Sequence, residues 1–217
     1  MPIPVLFQNG DMIVCVKAPG LSSEQGGLPD LLREQCGGAV YPVHRLDAGV
    51  GGVMVYARNR EAAAALSAQI TARRMEKEYL AVVEGRPGQE NGELRDLLYH
   101  DRQRNKSYVV QRMRKGVREA SLDYRLLETA ETEQGSLSLL RIRLHTGRSH
   151  QIRVQFASRR LPLVGDGRYG SRLGGDIALW SASLRFSDPA DASPLQFGAQ
   201  PPAVWPWTLF DLPNNAL

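Results

Sequence analysis

ASLDYRLLETAETEQGSLSLLRIRLH, residues 120–145, decides the fold class. It contains two β-rich runs, ASLDYRLLETA and SLSLLRIRLH, and a third, SYVVQRM, lies just upstream at 107–113. The three look like successive strands of an antiparallel sheet. In LLRIRLH the apolar Leu140, Ile142 and Leu144 alternate with Arg141, Arg143 and His145. Side chains along a strand point to opposite faces in turn, so the pattern predicts one buried face and one basic face.

Working outward, EKEYLAVVEG (76–85) is a buried strand closed by Gly85, and VMVYA (53–57) is another. Between them REAAAALSAQITARR (60–74) is rich in strong helix formers, with Asn59 placed to cap it. Leu28–Cys36 is a short helix with Pro29 in its first turn. The runs 3–7 and 11–17 form a hairpin around Asn9-Gly10. The chain is polar from Pro87 to about residue 104, and 86–118 is expected as a loop or hairpin inserted at one edge of the sheet. SHQIRVQFASRR (149–160) has helical spacing, and IALWSASLRF (177–186) returns to strand. Strands outnumber helices without alternating strictly with them. The expected class is α+β with a large, mainly antiparallel mixed sheet and flanking helices. The length of 217 residues fits one domain, expected over 1–217.

With 42% hydrophobic and 23% charged residues the composition is that of a globular protein. No apolar run approaches the roughly 18 residues that span a membrane. The start, MPIPVLFQNGDMIVCVK, does not read as a signal peptide. Cys15 and Cys36 are therefore expected as reduced core thiols in a cytoplasmic protein, and no metal-ligand spacing occurs. No exposed apolar stripe is evident, which favours a monomer. The net charge is only +4, but it is unevenly spread. Residues 102–118 hold seven Lys/Arg and no acid, and 141–160 hold six Arg and no acid. The rest of the chain is net acidic. Two basic segments on an acidic background point to a polyanion-binding face.

Three segments carry candidate chemistry. In VHRLDAGVGGVMVYA (43–57), Asp47 precedes Gly49, Gly51 and Gly52 and then an apolar strand. A carboxylate there can project from a rigid sheet into a cleft, although a turn cap explains the spacing equally well. In LHTGRSHQIRVQFA (144–157), Gly147 turns strand into helix, and Arg148, Ser149, His150 and Gln151 offer donors at a helix start suited to phosphate. By itself His150 fits a structural histidine better than a catalyst. In MEKEYLAVVEG (75–85), Tyr79 lies among charges at the start of a buried strand.

Together these segments resemble the RluA family of pseudouridine synthases. VHRLDAGVGGVMVYARN is similar to its His-Arg-Leu-Asp motif and MEKEYLAVVEG to its Lys-x-Tyr motif. EASLDYRLLE is similar to the strand after its variable loop. HTGRSHQIRVQFA and LPLVGDGRYG resemble its Gly-Arg-x-His-Gln and Gly-Asp-x-x-Tyr-Gly motifs, and VLFQNGDMIVCVKAPGL its usual start. The resemblance implies a pseudouridine synthase fold with a central RNA-binding cleft, here as a stand-alone catalytic domain without the small N-terminal RNA-binding domain. It implies isomerisation of uridine in ribosomal or transfer RNA without a cofactor. It assigns Asp47 as nucleophile or base, Arg153 as the cation that keeps it ionised, and Tyr79 as the residue that stacks on the uracil. RNA contacts would come from His44, Arg45, Arg148, His150 and Gln151, extended by Arg112, Arg114 and Lys115 of the basic insertion. Two departures stand out. Relatives usually carry Thr-Ser where this chain has Val50-Gly51, and His-Ala where it has Trp180-Ser181.

Overall fold

The computed structural model describes residues 2–213. Its class is α+β, with a large, mainly antiparallel mixed sheet and three α-helices among the described residues. The chain forms two compact units. One comprises the residues up to Lys77, Trp180–Pro201 and Pro213; the other comprises Glu78–Leu179 and Pro202–Leu212. No helix among the described residues is long and apolar enough to cross a membrane.

The first unit begins with the expected hairpin, β1 (Val5–Gln8) and β2 (Met12–Lys17), paired antiparallel. Its turn is held by the Asn9 side chain, whose Oδ1 accepts from the N–H groups of Asp11 and Met12, both at 2.9 Å. Helix α1 (Leu28–Cys36) and the short β3 (Tyr41–Pro42) lead to β4 (Gly51–Ala57), buried at every residue. β4 pairs antiparallel with β2 and β3 and parallel with β10 (Leu179–Ser187), which carries β11 (Pro194–Gly198). A strand buried on both faces needs the continuous apolar run that VMVYA supplies.

Helix α2 (Arg60–Thr71) starts where expected: Asn59 has extended backbone and its side chain accepts from Ala62 N–H at 2.8 Å. Ala62 and Leu66 bury against Val53, Val55, Leu184 and Phe186. Burying Leu66 alone stabilises the unit by about 1.5–3 kcal/mol. The helix stops at Thr71, short of the expected Arg74, because Arg73 turns left-handed at φ 57° and redirects the chain into the next strand. Both cysteines are free thiols. Cys15 lies in the core, and burial pushes its pKa up to about 12.

The second unit carries β5 (Glu76–Glu84), β6 (Asn91–Asp101), β7 (Lys106–Val110), β8 (Val117–Thr132) and β9 (Gly135–Leu144), in the order β5-β9-β8-β6-β7. SYVVQRM and ASLDYRLLETA are therefore not neighbours. β6 lies between them and pairs with both β7 and β8. Most of the polar stretch after Pro87 is a strand of 11 residues. Only Leu94 and Leu98 of it are buried, so it lacks the apolar signal of a central strand. The hairpin alternative for 86–118 is the one formed, with β7 at the edge. Asp101 Oδ1 shapes its turn by accepting from Gln103 N–H at 3.0 Å and Arg104 N–H at 3.1 Å. Helix α3 (Gln151–Ala157) has seven residues, fewer than the spacing over 149–160 predicts; left-handed His150 precedes it, and the chain turns left-handed again at Arg160. Gln151 through Phe156 are all buried.

Candidate active site

Asp47 sits half-buried in the turn that feeds β4, with Val50 N–H donating to its carbonyl at 2.9 Å. The turn is anchored from below by Lys17, which is wholly buried at the end of β2. The Lys17 ammonium donates to the carbonyls of Ala18, Leu21 and Ala48 at 3.1, 2.7 and 2.9 Å. Three donors meet three acceptors, so the cation is fully satisfied. Gly20 N–H adds a bond to Ala48 O at 2.8 Å. Burial lowers the Lys17 ammonium to about 8, and the charge of Asp47 opposes that shift. Nothing local in the sequence marks Lys17 for this role beyond its place before the Ala-Pro-Gly-Leu turn.

The departure at Val50-Gly51 has a structural partner. Val50, close in shape to threonine, is buried at 2% exposure. A Cβ on Gly51 would overlap Trp180 Cζ3 and lie 3.0 Å from Lys17 O. Trp180 is itself buried, and its indole N–H donates to Ala199 O at 2.8 Å. The ring thus occupies the space a serine side chain at 51 would take. In this chain Gly51 and Trp180 fit against each other.

His44, a candidate RNA contact, is half-buried and ties the Asp47 segment to β4. Its Nε2 accepts from Val55 N–H at 3.1 Å, while Nδ1 is buried without a partner among the described residues. Burial, then the nearby Lys77 charge, hold its pKa well below the ordinary histidine value. A neutral imidazole accepting from a β4 backbone group links the segment before Asp47 to the strand that follows it. Arg45 is exposed and forms a loose ion pair with Glu24 at 3.4 Å.

In the second unit Tyr79 is buried on β5 opposite Ile142 of β9. Arg153 projects from α3 into a bidentate fork on Asp166, with Nε at 2.6 Å from Oδ2 and Nη2 at 2.9 Å from Oδ1. The two side chains are 6% and 1% exposed. Such a pair fixes the plane of the guanidinium as well as its charge. The Tyr169 ring adds a second constraint, 5.0 Å from the centre of the guanidinium. Asp166 and Tyr169 lie in the GDGRYG motif, but nothing local marks them as partners of Arg153.

Of the donors expected at the start of α3, two are buried and bonded within the protein. Gln151, 3% exposed, accepts from Thr146 Oγ1 at 2.7 Å and Arg148 N–H at 3.0 Å, and donates to Ser121 O at 3.0 Å. His150, 6% exposed, lies 2.9 Å from the Tyr169 hydroxyl. Arg148 is exposed, with Nε on Glu119 O at 2.9 Å. Part of the basic charge of 141–160 is paired with acids from elsewhere. Arg141 meets Glu78 at 3.4 Å, Arg159 meets Asp96 at 2.9 Å, and His145 meets Asp123 at 2.7 Å. The first basic segment differs: Arg112, Arg114 and Lys115 are exposed between β7 and β8, and Arg114 lies over the Tyr99 ring at 5.2 Å.

Comparison with known proteins gives this arrangement its family. The family described as RNA pseudouridylate synthase matches residues 11–158. A Xanthomonas campestris protein named ribosomal large subunit pseudouridine synthase D is 38% identical over 184 residues, 80% of this chain and 53% of that protein. A Haemophilus influenzae protein named as an uncharacterized RNA pseudouridine synthase is 30% identical over 185 residues, 78% of this chain and 75% of that one. The chain spans about half the length of the first of these relatives. The solved structure of human RNA pseudouridylate synthase domain containing 1 matches with a TM-score of 0.81 at 21% identity, covering 93% of this chain and 84% of that one, a likeness of fold. With the family match covering Asp47, Tyr79 and Arg153, the chain belongs to the RNA pseudouridylate synthase family, of the RluA type.

Proposed function

We propose that the chain is an RNA pseudouridine synthase that isomerises specific uridines of ribosomal or transfer RNA. The observation that carries this is the family match over 11–158, a span that holds Asp47, Tyr79 and Arg153. The name of the Xanthomonas relative specifies the large ribosomal subunit, so ribosomal RNA is the first substrate to test. In the reaction the bond from the ribose C1′ to uracil N1 breaks, the base turns, and C1′ bonds to C5. C5 loses its proton and N1 gains one, so nothing is oxidised and no cofactor is required.

Asp47 would act as nucleophile or base, held on a turn whose backbone Lys17 has locked. Arg153, permanently charged and fixed by Asp166, would keep that carboxylate ionised in a dry site. Tyr79 would stack on the uracil, worth about 1–3 kcal/mol. A stacked uridine must first be extruded, at a cost of a few kcal/mol, and the exposed Arg45 would fill the gap. Arg148 with Arg112, Arg114 and Lys115 would bind phosphate. The chain would act as a monomer in the cytoplasm.

The test is Asp47→Asn. The amide keeps the size of the side chain but is a far poorer nucleophile and base. We expect a folded protein that binds RNA and makes no detectable pseudouridine in a single-turnover assay. The loss should far exceed the factor of about 10–100 that lost positioning alone would cost. A well-folded variant within tenfold of the parent rate overturns the assignment.

A further inference from the structure

The β6–β7 hairpin is bound to the segment that holds Arg153 more closely than an RNA-gripping appendage requires. Ser107, buried on β7, donates its backbone N–H to the Tyr169 hydroxyl at 2.7 Å. Its own hydroxyl donates to Ser149 O at 2.6 Å and lies 3.1 Å from His100 Nδ1 across the hairpin. The Tyr169 hydroxyl also meets Nδ1 of His150 at 2.9 Å, and His150 immediately precedes α3, the helix that carries Arg153. At the hairpin turn Arg168 Nη1 donates to Arg104 O at 3.0 Å. The Lys106 ammonium lies 5.3 Å from the Tyr169 ring centre, and the Arg153 guanidinium lies 5.0 Å from it.

One short stretch, Asp166 to Tyr169, therefore supplies the carboxylate that grips Arg153 and the ring that stacks on it. The hairpin fastens that stretch at Arg168, at the Tyr169 hydroxyl and at the ring. We propose that Tyr169 is a positioning residue through which the β6–β7 hairpin, by way of Ser107, sets the guanidinium of Arg153 for the reaction. The hairpin then contributes to turnover as well as to affinity. The inference rests on Arg153 acting in catalysis, as proposed above. A hydroxyl that both accepts from Ser107 N–H and bonds His150 can hold the ring in one place, whereas a phenylalanine ring would lose both bonds. Small displacements of a catalytic cation are expensive, since about 1 Å can cost a hundredfold in rate.

Two variants test this, Tyr169→Phe and Ser107→Ala, each with RNA affinity and the single-turnover rate at saturating RNA measured separately. Tyr169→Phe keeps the ring but not the hydroxyl. We expect its rate to fall about tenfold with affinity unchanged within about twofold. Ser107→Ala releases His100 and Ser149 O but keeps the backbone donor, so its rate should fall less, by about threefold. The Arg153 Nε–H signal in the NMR spectrum should broaden in both. Rates equal to the parent in both variants, or losses that vanish at saturating RNA, overturn the proposal. If Tyr169→Phe fails a thermal melt, Ser107→Ala decides alone. A parent protein that makes no pseudouridine on any RNA overturns the functional assignment and this inference with it. A working parent with indifferent variants overturns only the inference.

Discussion

Gly51→Ser restores the residue that relatives carry just past the Asp47 turn, and here it should harm the protein. The added Cβ would overlap Trp180 Cζ3 and lie 2.8 Å from Cε3, with Lys17 O at 3.0 Å behind it. Comfortable carbon contacts are about 3.5–4.0 Å, so the indole must retreat by at least about 0.7 Å. It has little freedom to do so, because it is 5% exposed and its N–H is held on Ala199 O. Overpacking of this kind costs about 1–3 kcal/mol. At about 2–4 °C per kcal/mol for a chain of this size, the melting temperature should fall by about 2–12 °C. Trp180→His alone should also destabilise, by leaving a cavity. The double variant Gly51→Ser/Trp180→His should be more stable than the two single effects summed, by a coupling of about 0.5–3 kcal/mol. The assay is thermal or urea unfolding of the four proteins in one double-mutant cycle. A Gly51→Ser protein that melts within 1 °C of the parent, or a cycle with no coupling, refutes the account of Gly51 and Trp180 as fitted to each other. An RNA-binding protein without catalytic activity would then gain weight as the alternative.

Replacing Arg112, Arg114 and Lys115 by Glu should weaken RNA binding and flatten its salt dependence, by about 0.7 in log–log slope for each phosphate no longer neutralised. An unchanged slope in a salt titration would make the segment a solvated face. Arg153→Lys keeps the charge but cannot form the fork on Asp166, so turnover at saturating RNA should drop by at least about tenfold while affinity is mostly kept. Full rate at saturation would remove Arg153 from the catalytic set. His44 predicts a pH effect on stability. Its folded pKa lies well below its ordinary value of 6.5, so below that pH the unfolded chain takes up a proton that the folded protein refuses. Stability should be complete above 6.5 and decline as pH falls toward the lowered folded value, and His44→Gln should remove that part of the decline in urea melts at a series of pH values.

Much was legible from residues a few positions apart, because the physics there is local. Asn9-Gly10 set the first hairpin and Asn59 the start of α2, since one side chain satisfies backbone groups two or three residues on. The alternation in 140–144 identified a half-buried strand, and the ordered motifs identified the family with Asp47, Tyr79 and Arg153 in their segments. Tertiary structure decided what depends on distant partners. Three arginines of 141–160 are paired with Glu78, Asp96 and Asp166, acids that arrive from outside that segment. Nothing near Gln151 and His150 in the sequence reveals that Ser121 and Tyr169 are their bonding partners. The place of β6 between β7 and β8, and the fit of Trp180 to Gly51, are choices of packing between remote stretches. Backbone preference acts over a turn or two of chain, whereas burial and ion pairing act between whatever surfaces the fold brings together.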